Sequence, residues 1–240
     1  MPFPLAHPAA VLPFRRYCPR FLSFPALIVG SLSPDAGYFF SQFQVDDFSH
    51  RLAGSIGFCL PVGLLTLLVL YGVGSRIVMA LPNPWRRIFS PLCQQPRGSP
   101  LAVVLSVILG AVMHILWDSF THKEGWLAQH LSILQFPVAR ITNRQVRICH
   151  LIWYGSTFGG VTWLVLAFQH WLQVTTQSTT PATIRVKLRD ALVFAALVLP
   201  IAAAHHLFHL TVGNYLVAVI SVLLVIGFVF WAAKQPTELV

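Results

Sequence analysis

The chain has 240 residues, of which 56% are hydrophobic and 10% charged, with a mean hydropathy of +0.70 and a formal charge of +9. Such a composition excludes an ordinary soluble domain and belongs to polytopic membrane proteins. The basic excess comes without a basic helix, an aromatic RNA platform or a Cys–His finger, so no nucleic-acid partner is expected and basic residues beside apolar runs read as topology signals.

Residues 1–14, MPFPLAHPAAVLPF, are uncharged and broken by four prolines. This stretch is too short and kinked to span, so residues 1–20 are expected to form an interfacial or re-entrant segment. It does not read as a cleavable signal, because Arg15, Arg16 and Arg20 follow its first apolar residues. His7 stands just before Pro8, which suits the first turn of a short helix.

Ser23–Phe43 follows, apolar except around Ser33-Pro34-Asp35. Proline removes a backbone donor and disfavours helix at the residue before it, so the segment is expected to break beside Asp35. Broken helices at membrane depth line protein-buried or wet cavities, which makes Asp35 a buried-carboxylate candidate. A polar stretch with Asp46, Asp47, His50 and Arg51 then leads into a clean span, Gly54–Val73.

The loop Gly74–Ser99 is rich in proline and carries Arg76, Arg86, Arg87 and Arg97, with Trp85 as an interfacial anchor. Beyond the span Leu101–Phe120 and the loop 122–147, further spans are read at Ile148–Trp171, Leu188–Leu210 and Val212–Ala233. Thr175–Thr183 is a polar connector, and Gly155-xxx-Gly159 is expected to be a helix-packing notch. The four cysteines, Cys18, Cys59, Cys93 and Cys149, lack CxxC spacing and read as buried thiols. The expectation is an all-α polytopic membrane bundle forming one domain, with five clear spans, a broken N-terminal span and a tail at 234–240.

The stretch with most chemical content is Gly110–Trp126, GAVMHILWDSFTHKEGW. The span it completes holds two ionisable groups, His114 and Asp118, whose spacing puts both on one helix face, and His122 extends that stripe by a turn. A carboxylate at bilayer depth costs roughly 2.5 kcal/mol or more, so it calls for a partner. Imidazole with carboxylate suits zinc or another divalent metal; the bland alternative is an ion pair that pins the bundle.

Threading the five spans gathers His50, His114, His122, His130, His150, His205, His206 and His209 in one half of the bundle, together with Asp35 and Asp118. That clustering favours a metal or proton site; His130 and His170 themselves read as interfacial. If Ser23–Phe43 crosses fully, the opposite face carries 11 Lys/Arg against 5; if it is only re-entrant, the count is 8 to 8. The crossing reading places the histidine-rich face outside the cytoplasm.

The blocks MPFPLAHPAAVLPFRR, SLSPD and GAVMHILWDSFTHKEGW resemble the uncharacterised bacterial membrane family described as domain of unknown function 4184, over about residues 1–170. More distantly, the order His7, Pro34-Asp35, His50-Arg51, His114-xxx-Asp118 is similar to membrane-bound metal-dependent hydrolases and to the ligand order of the zinc-dependent phospholipase C fold. That resemblance implies a polynuclear site with His7, Asp35, His50, His114, Asp118 and His122 as ligands, and catalytic roles for Asp35 and Asp118. The closing His-xxx-Glu pair of the phospholipase pattern is missing: His150 is followed by Tyr154 and His205 by His209.

The function expected is a membrane-embedded hydrolase in a bacterial inner membrane. It would use a divalent metal, zinc by preference, to activate water against a phosphoester or other headgroup ester of a membrane lipid. Arg51 is a candidate for pairing with an anionic headgroup. The competing expectation is a transporter or a metal- or proton-handling protein using the same His/Asp cluster.

Overall fold

The computed structural model describes residues 4–177 apart from 44, 82, 84, 95–97 and 142–143. The expected spans Leu188–Leu210 and Val212–Ala233, the tail, and His205, His206 and His209 lie outside the described residues. Among those described, three helical stretches are long and apolar enough to cross a membrane: Leu52–Ala80 and Pro100–His130, each with mean hydropathy 2.2, and Ile148–Thr175, with 1.4. They cover the first three of the five expected spans. Their outward faces are apolar, as lipid contact demands: Leu65, Leu68, Leu101 and Trp163 are all at least half exposed.

In chain order, a 3-10 segment Pro4–Tyr17 leads to α1 (Phe24–Leu32), a second 3-10 segment Pro34–Phe43, and α2 (Val45–Ser49). A short α3 (Leu52–Gly54) and a π-turn Ser55–Cys59 run into α4 (Leu60–Ala80), followed by α5 (Trp85–Cys93) and α6 (Pro100–Thr121). Then come α7 (Trp126–His130), α8 (Ser132–Gln135), the hairpin β1 (Pro137–Ile141) and β2 (Arg144–Arg147), and α9 (Ile148–Gln177). The all-α expectation is corrected by this hairpin, whose strands pair antiparallel with a register shift between Pro137 and Ala139. Pro137 bars helix continuation, and β-branched Val138 and Ile141 suit a strand.

The backbone groups into two compact units, one holding residues 4–73 and 98–164 and the other 74–94 and 165–177 of those described. In the second, Trp85 and Ile88 of α5 bury with Leu172 against Leu81, Phe89 and Trp171, leaving Arg86 and Arg87 exposed. The candidate ligands all lie in the first.

α1 and α6 form the frame of that first unit. Ser23 N–H donates to Ser106 Oγ at 2.8 Å, and Ser31 carbonyl meets His114 Nδ1 at 2.8 Å; both pairs are 83 residues apart, so the two helices run side by side in the same direction. Glycine makes this possible: a Cβ on Gly30 would overlap the Val107 carbonyl, and one on Gly110 the Leu27 carbonyl. At the expected Gly155/Gly159 notch a Cβ meets nothing within 4 Å among the described residues, whereas one on Gly160 would lie 3.2 Å from the Ala6 carbonyl. Periodicity alone cannot say which face of a helix has a neighbour.

The prolines at 4, 8 and 13 remove backbone donors, so the N-terminal segment winds as a 3-10 helix with Ala6–Val11 buried. His7 at one end of Pro4–Asp35 and Asp35 at the other both reach the C-terminal half of α6. Ser23, between them, sits beside Gly98 and Ser106 near the opposite end. The chain therefore descends along α6 and climbs back through α1, which brings both ends of the segment to one level.

The Ser106 hydroxyl passes its own proton to the Ala102 carbonyl, 2.6 Å away, and accepts from buried Ser23. Ser106→Ala is expected to strand that N–H and to cost about 1–3 kcal/mol. Thermal unfolding of the variant in detergent should show a lowered midpoint.

Candidate metal centre

Each candidate ligand is presented by a local structure that its sequence explains. α6 starts with Ser99 as N-cap, its side chain accepting from Ala102 N–H at 3.1 Å, and with Pro100 in the first turn. The helix then runs unbroken to Thr121, which stacks His114 and Asp118 on one face. Asp35 opens the 3-10 segment that Pro34 forces after α1. His50 directly follows α2, and Arg51 turns extended (φ −99, ψ 154). Ser49 ties these two pieces together by donating to the Pro34 carbonyl at 2.9 Å.

Five side chains converge. His114 Nε2 lies 3.2 Å from Asp118 Oδ2 and 3.5 Å from Asp35 Oδ1. His50 Nε2 lies 3.6 Å from Asp35 Oδ1 and 3.8 Å from Asp118 Oδ2. On the other carboxylate oxygen, His7 Nε2 lies 3.6 Å from Asp118 Oδ1. The His7 and His114 rings stack at 3.6 Å and 20°, with His50 edge-on to His114. Two trios, His7–His114–Asp118 and Asp35–His50–His114, thus have ligand atoms within 4.8 Å of one another.

The ring tautomers follow from the partners. A carbonyl only accepts, so His114 Nδ1–H donates to Ser31 and His50 Nδ1–H to the Asp46 carbonyl, each at 2.8 Å. Both rings therefore turn Nε2 toward the carboxylates, and that nitrogen is the one free to serve as a metal ligand when the ring is neutral. Burial pushes His7 down to about 3, so its imidazole is neutral.

These atoms do not satisfy one another. His7 Nδ1 and Nε2, both Asp35 oxygens, His50 Nε2, His114 Nε2 and Asp118 Oδ1 are buried with no hydrogen-bond partner, despite the short separations. Buried polar atoms are rarely left so, and this many in one place form a donor set that a cation could complete. The fit is also geometric. Tetrahedral zinc with ligands at about 2.0–2.2 Å has donors roughly 3.3–3.6 Å apart. Asp35 Oδ1, His50 Nε2, His114 Nε2 and Asp118 Oδ2 are separated by 3.2–3.8 Å along the four edges measured.

The other expected residues fall differently. His122 sits at the edge, with Nδ1 3.8 Å from Asp118 Oδ1 but turned to the Asp118 backbone carbonyl at 3.1 Å. It caps α6 in an extended conformation, which takes it off the helical stripe, and it joins neither trio. His130 Nδ1 bonds the Trp126 carbonyl at 2.7 Å, and His150 Nδ1 accepts the Arg147 N–H at 3.1 Å, so neither joins a trio. Arg51 pairs with Asp47 at 3.3 Å on the exposed surface. Sequence reasoning missed the orienting carbonyls of Ser31 and Asp46, because any residue supplies a carbonyl and no side-chain pattern marks the one that is used.

Fold and site together give a mostly helical protein with three helices long and apolar enough to cross a membrane and a buried histidine–carboxylate cluster. The chain belongs to the family described as domain of unknown function (DUF4184), whose match runs over residues 1–232. No curated protein and no solved structure matches it.

Proposed function

We propose that the protein is a membrane-embedded, metal-dependent hydrolase acting on a phosphoester in a lipid headgroup, in which Asp35, His50, His114 and Asp118 would hold a divalent ion, zinc by preference, and His7 with the other Asp118 oxygen would assist a second. The observation that carries this reading is the division of labour between the two Asp118 oxygens. Oδ2 completes the set with Asp35, His50 and His114, while Oδ1 faces His7. With each oxygen toward a different set of side chains, Asp118 would contribute to both of these sets.

Bound there, divalent ions supply an activated water and stabilise charge on a phosphoryl group. The chain's own residues do the rest. Asp35 and Asp118 offset the positive charge, the Ser31 and Asp46 carbonyls hold two imidazoles in register, and the packed N-terminal segment keeps bulk water from His7. A polar centre beside helices that cross the bilayer favours a headgroup over a soluble ester.

In the proposed bacterial inner membrane, the paired ends of Pro4–Asp35 favour a site that faces outward. His7 stays at the level of Asp118 while the arginines after it are carried toward the other end of α6, which allows the 11-to-5 bias of Lys and Arg. Transport is the weaker reading, since both trios share His114 and no second, separate group is present among the described residues.

Elemental analysis of the detergent-purified protein after zinc supplementation tests the centre, and headgroup release from mixed phospholipid vesicles tests the reaction. Two ions per chain with chelator-sensitive release supports the proposal. Metal-free, well-folded protein overturns it, and metal without hydrolysis of any lipid ester leaves metal handling as the function.

A further inference from the structure

We infer that the segment linking α6 to α9 is a docking face for anionic phospholipid at the mouth of the centre; the inference gives the proposed hydrolase a lipid class but stands on different residues. This connector is folded rather than loose. Ala128, Leu134 and Cys149 form a small core with Ile148. Gln135 Nε2 donates to the Lys123 carbonyl at 2.7 Å, and Arg147 bonds Gln135 Oε1.

Yet its outward side chains are those a soluble surface avoids. Trp126 is 65% exposed, Ile133 65%, Phe136 62% and Val138 50%. Folding has already buried what this segment can bury by itself, so these groups remain for another phase.

The fold says which phase. The connector leaves one helix long enough to cross a membrane and enters another, so it emerges at the bilayer surface, where aromatic and aliphatic tips enter the headgroup boundary. Its charge says which lipid. Residues 123–147 hold Lys123, Arg140, Arg144 and Arg147 against one acid, Glu124, and that acid is taken by Lys123 at 3.2 Å. Exposed Arg140 has bonding geometry for a phosphate.

Proximity to the centre comes from Gly125. A Cβ there would overlap the Ser119 carbonyl and lie 2.9 Å from the Asp118 carbonyl, so the segment folds back on the turn that carries Asp118. A lipid held by this face would have its headgroup at the end of α6 where the carboxylates lie.

The test places a polarity-sensitive fluorophore on Ile133→Cys in full-length protein carrying Cys93→Ser, which removes an exposed thiol. The protein is reconstituted in nanodiscs of phosphatidylcholine, with or without phosphatidylglycerol; protein without Ile133→Cys gives the blank. The expected result is emission shifted to the blue by phosphatidylglycerol, with the increment lost at about 1 M salt, where screening acts within roughly 3 Å, and lost in Arg140→Gln. Equal emission in the two nanodiscs overturns the inference, as does a shift indifferent to salt and to Arg140. A shift produced only by adding cell extract would mark the face as a protein interface and also overturns it. Metal content is read on the same samples, so failure of lipid docking is distinguishable from failure of the centre.

Discussion

Asp118→Ala should empty the centre of metal altogether, the largest chemical effect expected of any single substitution here. Asp118 Oδ2 lies with Asp35-facing His50 and His114 while Oδ1 faces His7, and the residue is 8% exposed, so water cannot easily replace it. Its neighbours should respond unequally. His7→Ala is expected to release one of two ions, because His7 meets only Oδ1, and Asp35→Ala to release the other, because Asp35 meets the opposite set. Loss of a ligand from a metal site can cost orders of magnitude in affinity, and even residues that merely orient ligands cost about 10–100-fold. Zinc per chain, measured on folded protein by elemental analysis, separates the schemes. A wild type with one ion that His7→Ala retains would remove His7 from the ligands and the shared role from Asp118.

Gly110→Val should have the largest effect on folding. The added side chain would overlap the Leu27 carbonyl and press on Ser31 N and Gly30 C at 2.7 and 2.9 Å. These are backbone atoms of a packed helix, so no rotamer change relieves them. Overpacking usually costs about 1–3 kcal/mol, and a clash with backbone belongs at or beyond the top of that range. Separating α1 from α6 would also withdraw the Ser31 carbonyl from His114, so metal should be lost with stability. Gly159→Val is the matched control, since its added Cβ meets nothing among the described residues. Thermal unfolding in one detergent should show a large drop for the first and little change for the second; equal drops would mean that helix propensity, and not close approach, governs both.

The membrane class, three of the spans and the His114–Asp118 pair were legible in the sequence because each depends on local pattern. Apolar length decides whether a helix can span, and an i, i+4 spacing places two side chains on one face whatever surrounds them. The break at Ser33-Pro34 was legible for the same reason, as proline acts on its own backbone and the residue before it. The hairpin at 137–147 escaped notice because a few alternating residues in a polar loop carry little periodic signal.

His7 shows where local pattern stops. An isolated histidine among prolines reads as an interfacial residue, and only the return of Pro4–Asp35 along α6 brings its ring onto His114. His122 shows the converse: spacing puts it on the stripe, but the helix ends there and its ring turns to the backbone carbonyl of Asp118. The glycines divide in the same way, with Gly30 and Gly110 at a contact and Gly155 and Gly159 meeting nothing among the described residues, although all four are glycines in apolar helices. By itself, then, the sequence determined that this is a helical protein with segments long and apolar enough to cross a membrane and with carboxylate and imidazole in them. The tertiary structure decided which of them meet, because long-range packing sets the distances between donors on separate segments, and no local periodicity encodes it.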